Sequence, residues 1–226
     1  AQAVQCRSDG QYKLGAWIRD SMAGIGTITF WDPQSGVFGA LGHGINDVDT
    51  AQLMPLQSGS ILYSDVADVK KGEKGEPGEL KGAFQVNRDL GELYANTPGG
   101  VFGTLSDSSF LPDVQPVEVA SRDEVHTGAA VIRSNVAGDA VEEYTVEIIR
   151  VFPAGSHDTR ELMVKVTDQR LLDATGGIVQ GMSGSPILQN GKLVGSVTHV
   201  LINDPTQGYG ILAETMLDTA QEAQSA

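Results

Sequence analysis

Ser183 stands between glycines in the run Gly181-Met182-Ser183-Gly184-Ser185-Pro186-Ile187-Leu188. A hydroxyl there is a weak nucleophile until a neighbouring base removes its proton. The flanking glycines leave bare backbone, so a substrate carbonyl can approach closely. The N–H groups of Gly181 and Ser183 are candidates for an oxyanion hole, two donors aimed at the charge that develops on attack. An imidazole is the side chain best suited to take the proton near neutral pH, and the chain has four: His43, His126, His157 and His199. His43 lies between two glycines at the end of the apolar run Val37-Phe38-Gly39-Ala40-Leu41. His126 follows an acidic stretch and His157 sits in a turn after Pro153-Ala154-Gly155-Ser156, so both read as loop residues. His199 falls within an apolar stretch after the serine and reads as a cleft wall.

These groups need strands to hold them. After Pro186 a short strand (187–189), an Asn190-Gly191 turn and a second strand (193–201) form a hairpin, and Asn-Gly is a strong hairpin signal. This layout resembles the nucleophile region of chymotrypsin-like serine proteases, where a glycine-flanked serine precedes such a hairpin. In that pattern the base follows an apolar strand in the first of two barrels, and His43 matches that place. Thr198, His199 and Val200 fall on the substrate-pairing strand, where an extended peptide adds as one more strand. Gly208-Tyr209-Gly210-Ile211 falls where that family builds a pocket wall. Two departures follow. Met182 replaces the Asp that pairs with a freshly cut amino terminus, so no terminus insertion is expected. Gly177 lies at the pocket base and carries no charge, so no preference for a charged side chain follows.

The remaining chain reads as many short β segments. Expected strands cover 14–18, 24–30, 37–41, 58–69, 80–86, 100–105, 115–119, 129–132, 143–152 and 162–167, from β-branched content and alternation. A short helix is expected within 171–180, and a clearer one over 213–221 with Leu212, Met216 and Leu217 on one side. The stretch Lys70-Lys-Gly-Glu-Lys-Gly-Glu-Pro-Gly78 is too short for collagen and reads as an exposed, mobile loop. The expected organisation is a polar lead-in (1–12), a first β-barrel with the base histidine (13–105), a Pro/Asp/Ser linker (106–116), and a second β-barrel with the nucleophile and the terminal helix (117–226). The fold class is all-β, a chymotrypsin-like double β-barrel with a C-terminal helix.

Composition narrows the function. The net charge of −14 argues against a nucleic-acid partner, whose phosphates demand Lys and Arg, and against an anionic membrane surface. A single cysteine, Cys6, permits no intrachain disulfide. No metal-spacing motif or phosphate loop is present, and neither metal nor cofactor is expected. No apolar run reaches the roughly 18 residues of a spanning helix, so direct membrane insertion is not expected. Starting at Ala1 suggests a processed or truncated product.

A closer likeness rests on Gly39-Ala-Leu-Gly-His43, Val166-Thr167-Asp168-Gln169, Gly176-Gly-Ile-Val-Gln-Gly-Met-Ser-Gly-Ser-Pro186, and Val197-Thr198-His199-Val200 with Asn203-Asp204-Pro205-Thr206 and Gly208-Tyr209-Gly210. From about Leu14 to Met216 the chain resembles the stage IV sporulation protein B peptidases of spore-forming bacteria. The resemblance implies a triad of Ser183, His43 and Asp168, with Asp173 as a nearby alternative acid. A strand-end Asp168 capping a turn is the competing structural reading. The resemblance further implies a serine endopeptidase of sporulation signalling, located in the space between forespore and mother-cell membranes. Such enzymes cleave a regulatory protein that restrains an intramembrane protease, so that pro-sigma-K is processed, and they cut themselves. The family usually carries an amino-terminal anchor and a PDZ domain, so this chain is expected to be the released peptidase part. The alternative is a catalytically silent protease-like module that binds a peptide along 193–201.

Overall fold

The computed structural model describes residues 4–5, 10, 12–13, 22–111, 115–138, 140–155 and 159–225. The strand expected at 14–18, and His157, lie outside them. A two-stranded ribbon, β1 (Val4–Gln5) with β2 (Tyr12–Lys13), precedes the main body.

The first sheet contains β3 (Ile28–Trp31), β4 (Val37–Ala40), β5 (Ser60–Lys70), β6 (Glu79–Thr97) and β7 (Gly100–Leu105), ordered β3-β4-β7-β6-β5. Among the described residues it does not close on itself, and it forms the first, half-barrel unit. One strand outruns expectation: β6 covers 19 residues, and β5 pairs with it through three register shifts. Such irregularities bend and twist a ribbon, and they hide its period from a reading by alternation. The loop at its tip is tied down. Gly72 N donates to Thr175 O at 2.8 Å, Gly75 N to Ile202 O at 2.8 Å, and Gln180 N to Gly78 O at 2.9 Å. Gly72 and Gly78 are buried. The hairpin thus crosses to the second unit and braces the chain just before the nucleophile.

The second unit comprises β8 (Gly128–Ser134), β9 (Glu142–Val151), β10 (Leu162–Val166), β11 (Pro186–Gln189), β12 (Lys192–Leu201) and β13 (Asp204–Leu212). They close into a barrel ordered β10-β13-β12-β11-β8-β9. The period-2 pattern builds its core: Tyr144, Val146 and Ile148 of β9 point inward, while Thr145 and Glu147 are exposed. The turn Asn190-Gly191 has both residues at positive φ (54° and 80°), the geometry that suits strand twist in a two-residue hairpin. The segment expected as a strand over 115–119 is irregular, with one bridge from Val119 to Leu193.

Helix α1 (Gln169–Thr175) links β10 to the nucleophile loop. The terminal helix α2 (Ala213–Ser225) buries Ala213, Met216 and Ala220, leaving Leu217 partly exposed. Met216 and Ala220 pack with Phe102 of the first sheet and Ile211 of the barrel, so α2 fastens the two units together.

Candidate active site

The nucleophile loop is stitched on both sides. Gly184 N donates to Val197 O at 2.8 Å and Val197 N to Ser185 O at 3.0 Å, which ties the loop to β12. From the first sheet, Thr27 N donates to Ser183 O at 2.9 Å and Thr29 Oγ1 to Gly184 O at 2.8 Å. Gly184 is required here: its φ is 94°, and a Cβ would collide with the Thr27 carbonyl. Met182 is fully buried among the barrel residues, where a charged residue would need a partner.

The base loop meets the nucleophile loop from the other sheet. Leu41 and Gly42 both have left-handed φ (68° and 69°), turning the chain sharply after β4. Leu41 N donates to Thr27 O at 3.2 Å. Gly42 rests on the barrel: a Cβ there would lie 2.5 Å from Ser196 Oγ and 2.8 Å from both Ile211 Cγ2 and Thr198 Cγ2. This close approach delivers His43 to β12, where its ring stands 4.8 Å from that of His199, tilted by 40°. His43 Nδ1 lies 2.9 Å from Gly44 O. A carbonyl oxygen only accepts, so Nδ1 carries the proton and Nε2 keeps its lone pair.

Ser183 Oγ donates to Thr198 O at 2.8 Å. Ser183, His43, Thr198 and His199 therefore share one patch, at the seam between the units. Among the described residues, neither the Gly181 nor the Ser183 N–H has an acceptor, leaving both donors available. Among the described residues no strand pairs with the β11-facing edge of β12 past Ser196, while Thr198, His199 and Val200 continue along it. Among the described residues the buried Thr198 hydroxyl has no partner.

His199 titrates well below its usual range, at about 4, first because burial disfavours the imidazolium and then because His43 and Arg160 are near. By surface area, however, His199 is an exposed residue. Exposure relieves part of the cost, so the direction of the shift, and not its size, is what the site chemistry uses. A neutral His199 lines the cleft at neutral pH.

The structure shows Asp168 as a cap, the competing reading of this residue. It is the N-cap of α1, accepting from Arg170 N at 2.9 Å, Arg170 Nε at 3.2 Å, Arg170 Nη2 at 3.0 Å and Thr145 N at 3.2 Å. The Arg170 guanidinium holds its carboxyl below the usual carboxylate range. Thr145 belongs to β9, three strands from β12 around the six-stranded barrel in either direction. Among the described residues no hydrogen bond joins Asp168 to His43. Asp173 is exposed on α1 and accepts from Gln169. His126 Nδ1 contacts the Glu124 carbonyl at 2.9 Å, a loop contact. Thr27, Thr29 and the Gly44 carbonyl were not singled out by sequence reasoning; no motif marks them, because their roles arise from backbone proximity.

Several solved proteases are similar in fold. A variant of the HtrA-type protease AlgW with tripeptide matches with a TM-score of 0.50, over 88% of this chain and 55% of its own, at 13% identity. AlgW with decapeptide matches at 0.44 over 64% of this chain and 43% of its own, at 15% identity. The Rv3671c protease of M. tuberculosis, active form, matches at 0.45 over 93% and 95% of the two chains, at 12% identity. The chain thus spans about half the length of those AlgW chains. Such identities speak to the fold, which is chymotrypsin-like with one closed barrel and one open sheet. No curated protein matches. The family model for SpoIVB peptidase S55 matches residues 10–217, and the chain belongs to that family of serine peptidases.

Proposed function

We propose that this chain is a serine endopeptidase in which Ser183 is the nucleophile, His43 the general base, and the Gly181 and Ser183 N–H groups the oxyanion hole. The observation that carries the reading is the meeting of Ser183 and His43 at one seam, with two N–H donors beside the serine that no described residue claims. An extended peptide pairing along Thr198, His199 and Val200 would compete for the Thr198 carbonyl that now accepts the Ser183 hydroxyl. Released, that hydroxyl turns to His43 Nε2, which takes its proton as Oγ attacks the scissile carbonyl. The imidazolium then protonates the departing amine. Water hydrolyses the acyl-enzyme by the same route.

In this reading the substrate is a protein, namely the regulator of an intramembrane protease, cleaved in the space between forespore and mother-cell membranes so that pro-sigma-K is processed. Self-cleavage belongs to the same proposal. Family membership supports this placement.

One observation favours a second reading. Ser183 Oγ rests on Thr198 O and not on His43, as in a silent module that only binds peptides. A fluorophosphonate probe decides. An enzyme is labelled at Ser183, and labelling collapses in His43→Ala; a silent module shows no labelling above that of Ser183→Ala.

A further inference from the structure

We propose that the cavity between Ile25, Leu80 and Phe84 receives the leaving-group half of the substrate, and that it takes a large apolar side chain from one of the first two residues after the cut. The inference rests on the serine-peptidase reading above and adds to it a preference on the amine side of the scissile bond.

The nucleophile loop lies between two neighbours. On one side Gly184 N donates to Val197 O of β12. On the other, Thr27 N donates to Ser183 O, and Thr27 Oγ1 to Gly181 O at 3.3 Å. A peptide whose acyl half pairs along Thr198, His199 and Val200 therefore leaves Ser183 on the Thr27 side. A cavity of about 500 Å³ opens there, lined among others by Ile25, Leu80, Gly82, Phe84, Gln180 and Gly181. Gly181, the proposed oxyanion donor, is itself part of the wall, so the cavity begins beside the reacting carbonyl. It is continuous with the cleft and is built by β6, by the nucleophile loop and by the chain just before Thr27.

The period of β6 makes this wall apolar. Leu80, Gly82 and Phe84 fall on one face of the strand. Leu80 is buried against the loop: a Cβ on Gly181 would lie 3.0 Å from Leu80 Cβ. At Gly82 the bare backbone admits Ile25, whose Cδ1 would stand 2.8 Å from a Cβ there. Phe84 remains 42% exposed, a large apolar side chain left open to water at the rim. The charged residues of the same stretch alternate with these and are matched across the ladder to β5. Lys81 pairs with Asp68 at 3.1 Å, and Glu79 stands opposite Lys70. An apolar side chain entering the cavity would cover Phe84 and Ile25, and binding grows with the apolar area removed from water. The wall is also held in register with the oxyanion donor, since Leu80 N donates to Gln180 O at 2.8 Å and Gln180 N to Gly78 O at 2.9 Å.

Digestion of a proteome-derived peptide library by the full chain, with the new amino termini sequenced, reads this preference. Wild type is expected to enrich Leu, Ile, Met and Phe over Gly at one of the first two positions after the cut. Phe84→Ser and Ile25→Ser, on facing walls, should each lower that apolar-to-glycine ratio roughly 10-fold, and Phe84→Leu should keep most of it. Val86→Ser is the control: Val86 lies two residues further along β6, is 75% exposed and is not part of the lining. It should keep the wild-type ratio. The proposal is overturned by a wild-type profile with no amine-side preference or with a preference for charged residues. An unchanged ratio in folded Phe84→Ser or Ile25→Ser overturns it too, and either variant decides where the other fails to fold. An equal fall in Val86→Ser also overturns it, by assigning the effect to general surface hydrophobicity. Fluorophosphonate labelling run beside the digests separates the two readings. A chain that labels at Ser183 without the preference keeps the peptidase reading and loses the subsite; a wild-type chain that neither labels nor cleaves loses both.

Discussion

Gly42→Ala tests whether the base loop is seated on the barrel as closely as the structure has it. Gly42 adopts φ 69°, and its missing Cβ would sit 2.5–2.8 Å from Ser196 Oγ, Thr198 Cγ2 and Ile211 Cγ2. A left-handed backbone costs a non-glycine residue roughly 1–2 kcal/mol. Forcing a methyl into a packed contact adds about 1–3 kcal/mol. The neighbours have little freedom to yield, since Ser196, Thr198 and Ile211 are all buried. The sum, about 2–5 kcal/mol, is a large part of a typical domain's stability of about 5–15 kcal/mol. It is taken either as lost stability or as a displaced loop. Gly138→Ala is the control: its φ is 62° but nothing lies within 4 Å of the added atom, so it carries only the backbone part. Denaturant midpoints and Ser183 labelling rates of both variants make the comparison. Gly42→Ala should exceed the control by about 1–3 kcal/mol in stability, or label some 10²-fold more slowly. A Gly42→Ala protein equal to its control in both measurements refutes the close seating of His43 against β12.

Other outcomes follow from the same contacts. Ser183→Ala should lower peptide turnover by roughly 10⁶-fold, the size measured for other serine-protease nucleophiles, and a residual rate near wild type removes Ser183 from the chemistry. The depressed titration of His199, from 6.5 to about 4, means that the unfolded chain binds more protons in between. Stability should therefore fall as pH drops below about 6.5, and His199→Phe should lessen that fall in urea melts; an unchanged slope contradicts the lowered titration of His199. Glu161 is buried, pairs with Arg122, and accepts from Leu212 N at 2.9 Å and Thr215 Oγ1 at 3.0 Å. Glu161→Ala should cost about 1–3 kcal/mol by leaving those donors unpaired, read as a lower denaturant midpoint, and a neutral result would show that this tie at the start of α2 is unimportant.

The barrel was legible because its strands keep period 2 between clear turns. Glu142–Val151 alternates Tyr144, Val146 and Ile148 against polar neighbours, and Asn190-Gly191 announces its own hairpin. The first sheet was less so. Its longest strand hides behind register shifts in β5 and β6, and the glycine-rich tip 71–78 reads as a free loop because composition does not show hydrogen bonds to Thr175, Ile202 and Gln180. Residues 115–119 have the β-branching of a strand, yet their pairing with the barrel is limited to Glu118 and Val119 beside Leu193; propensity without a longer partner edge makes no ladder.

The site divides along the same line. Gly-His-Gly and Gly-Met-Ser-Gly are local signals, each residue type being needed for its own backbone geometry. An orienting acid is not a local signal, since any Asp can be carried to a histidine by the fold. What sequence does carry for Asp168 is a capping pattern. An Asp opens Gln169–Thr175, and Gly176 closes it at φ 77°, as expected of a short helix with N-cap and left-handed C-cap. That arrangement consumes the carboxylate on backbone N–H groups, and Arg170, two residues on, consumes the rest. A capping carboxylate can also face a histidine only if its helix starts at the cleft. This one starts against β9, opposite β12 in the barrel. The chain between Asp168 and Ser183 therefore runs through α1, from a cap against β9 to a loop tied to β12.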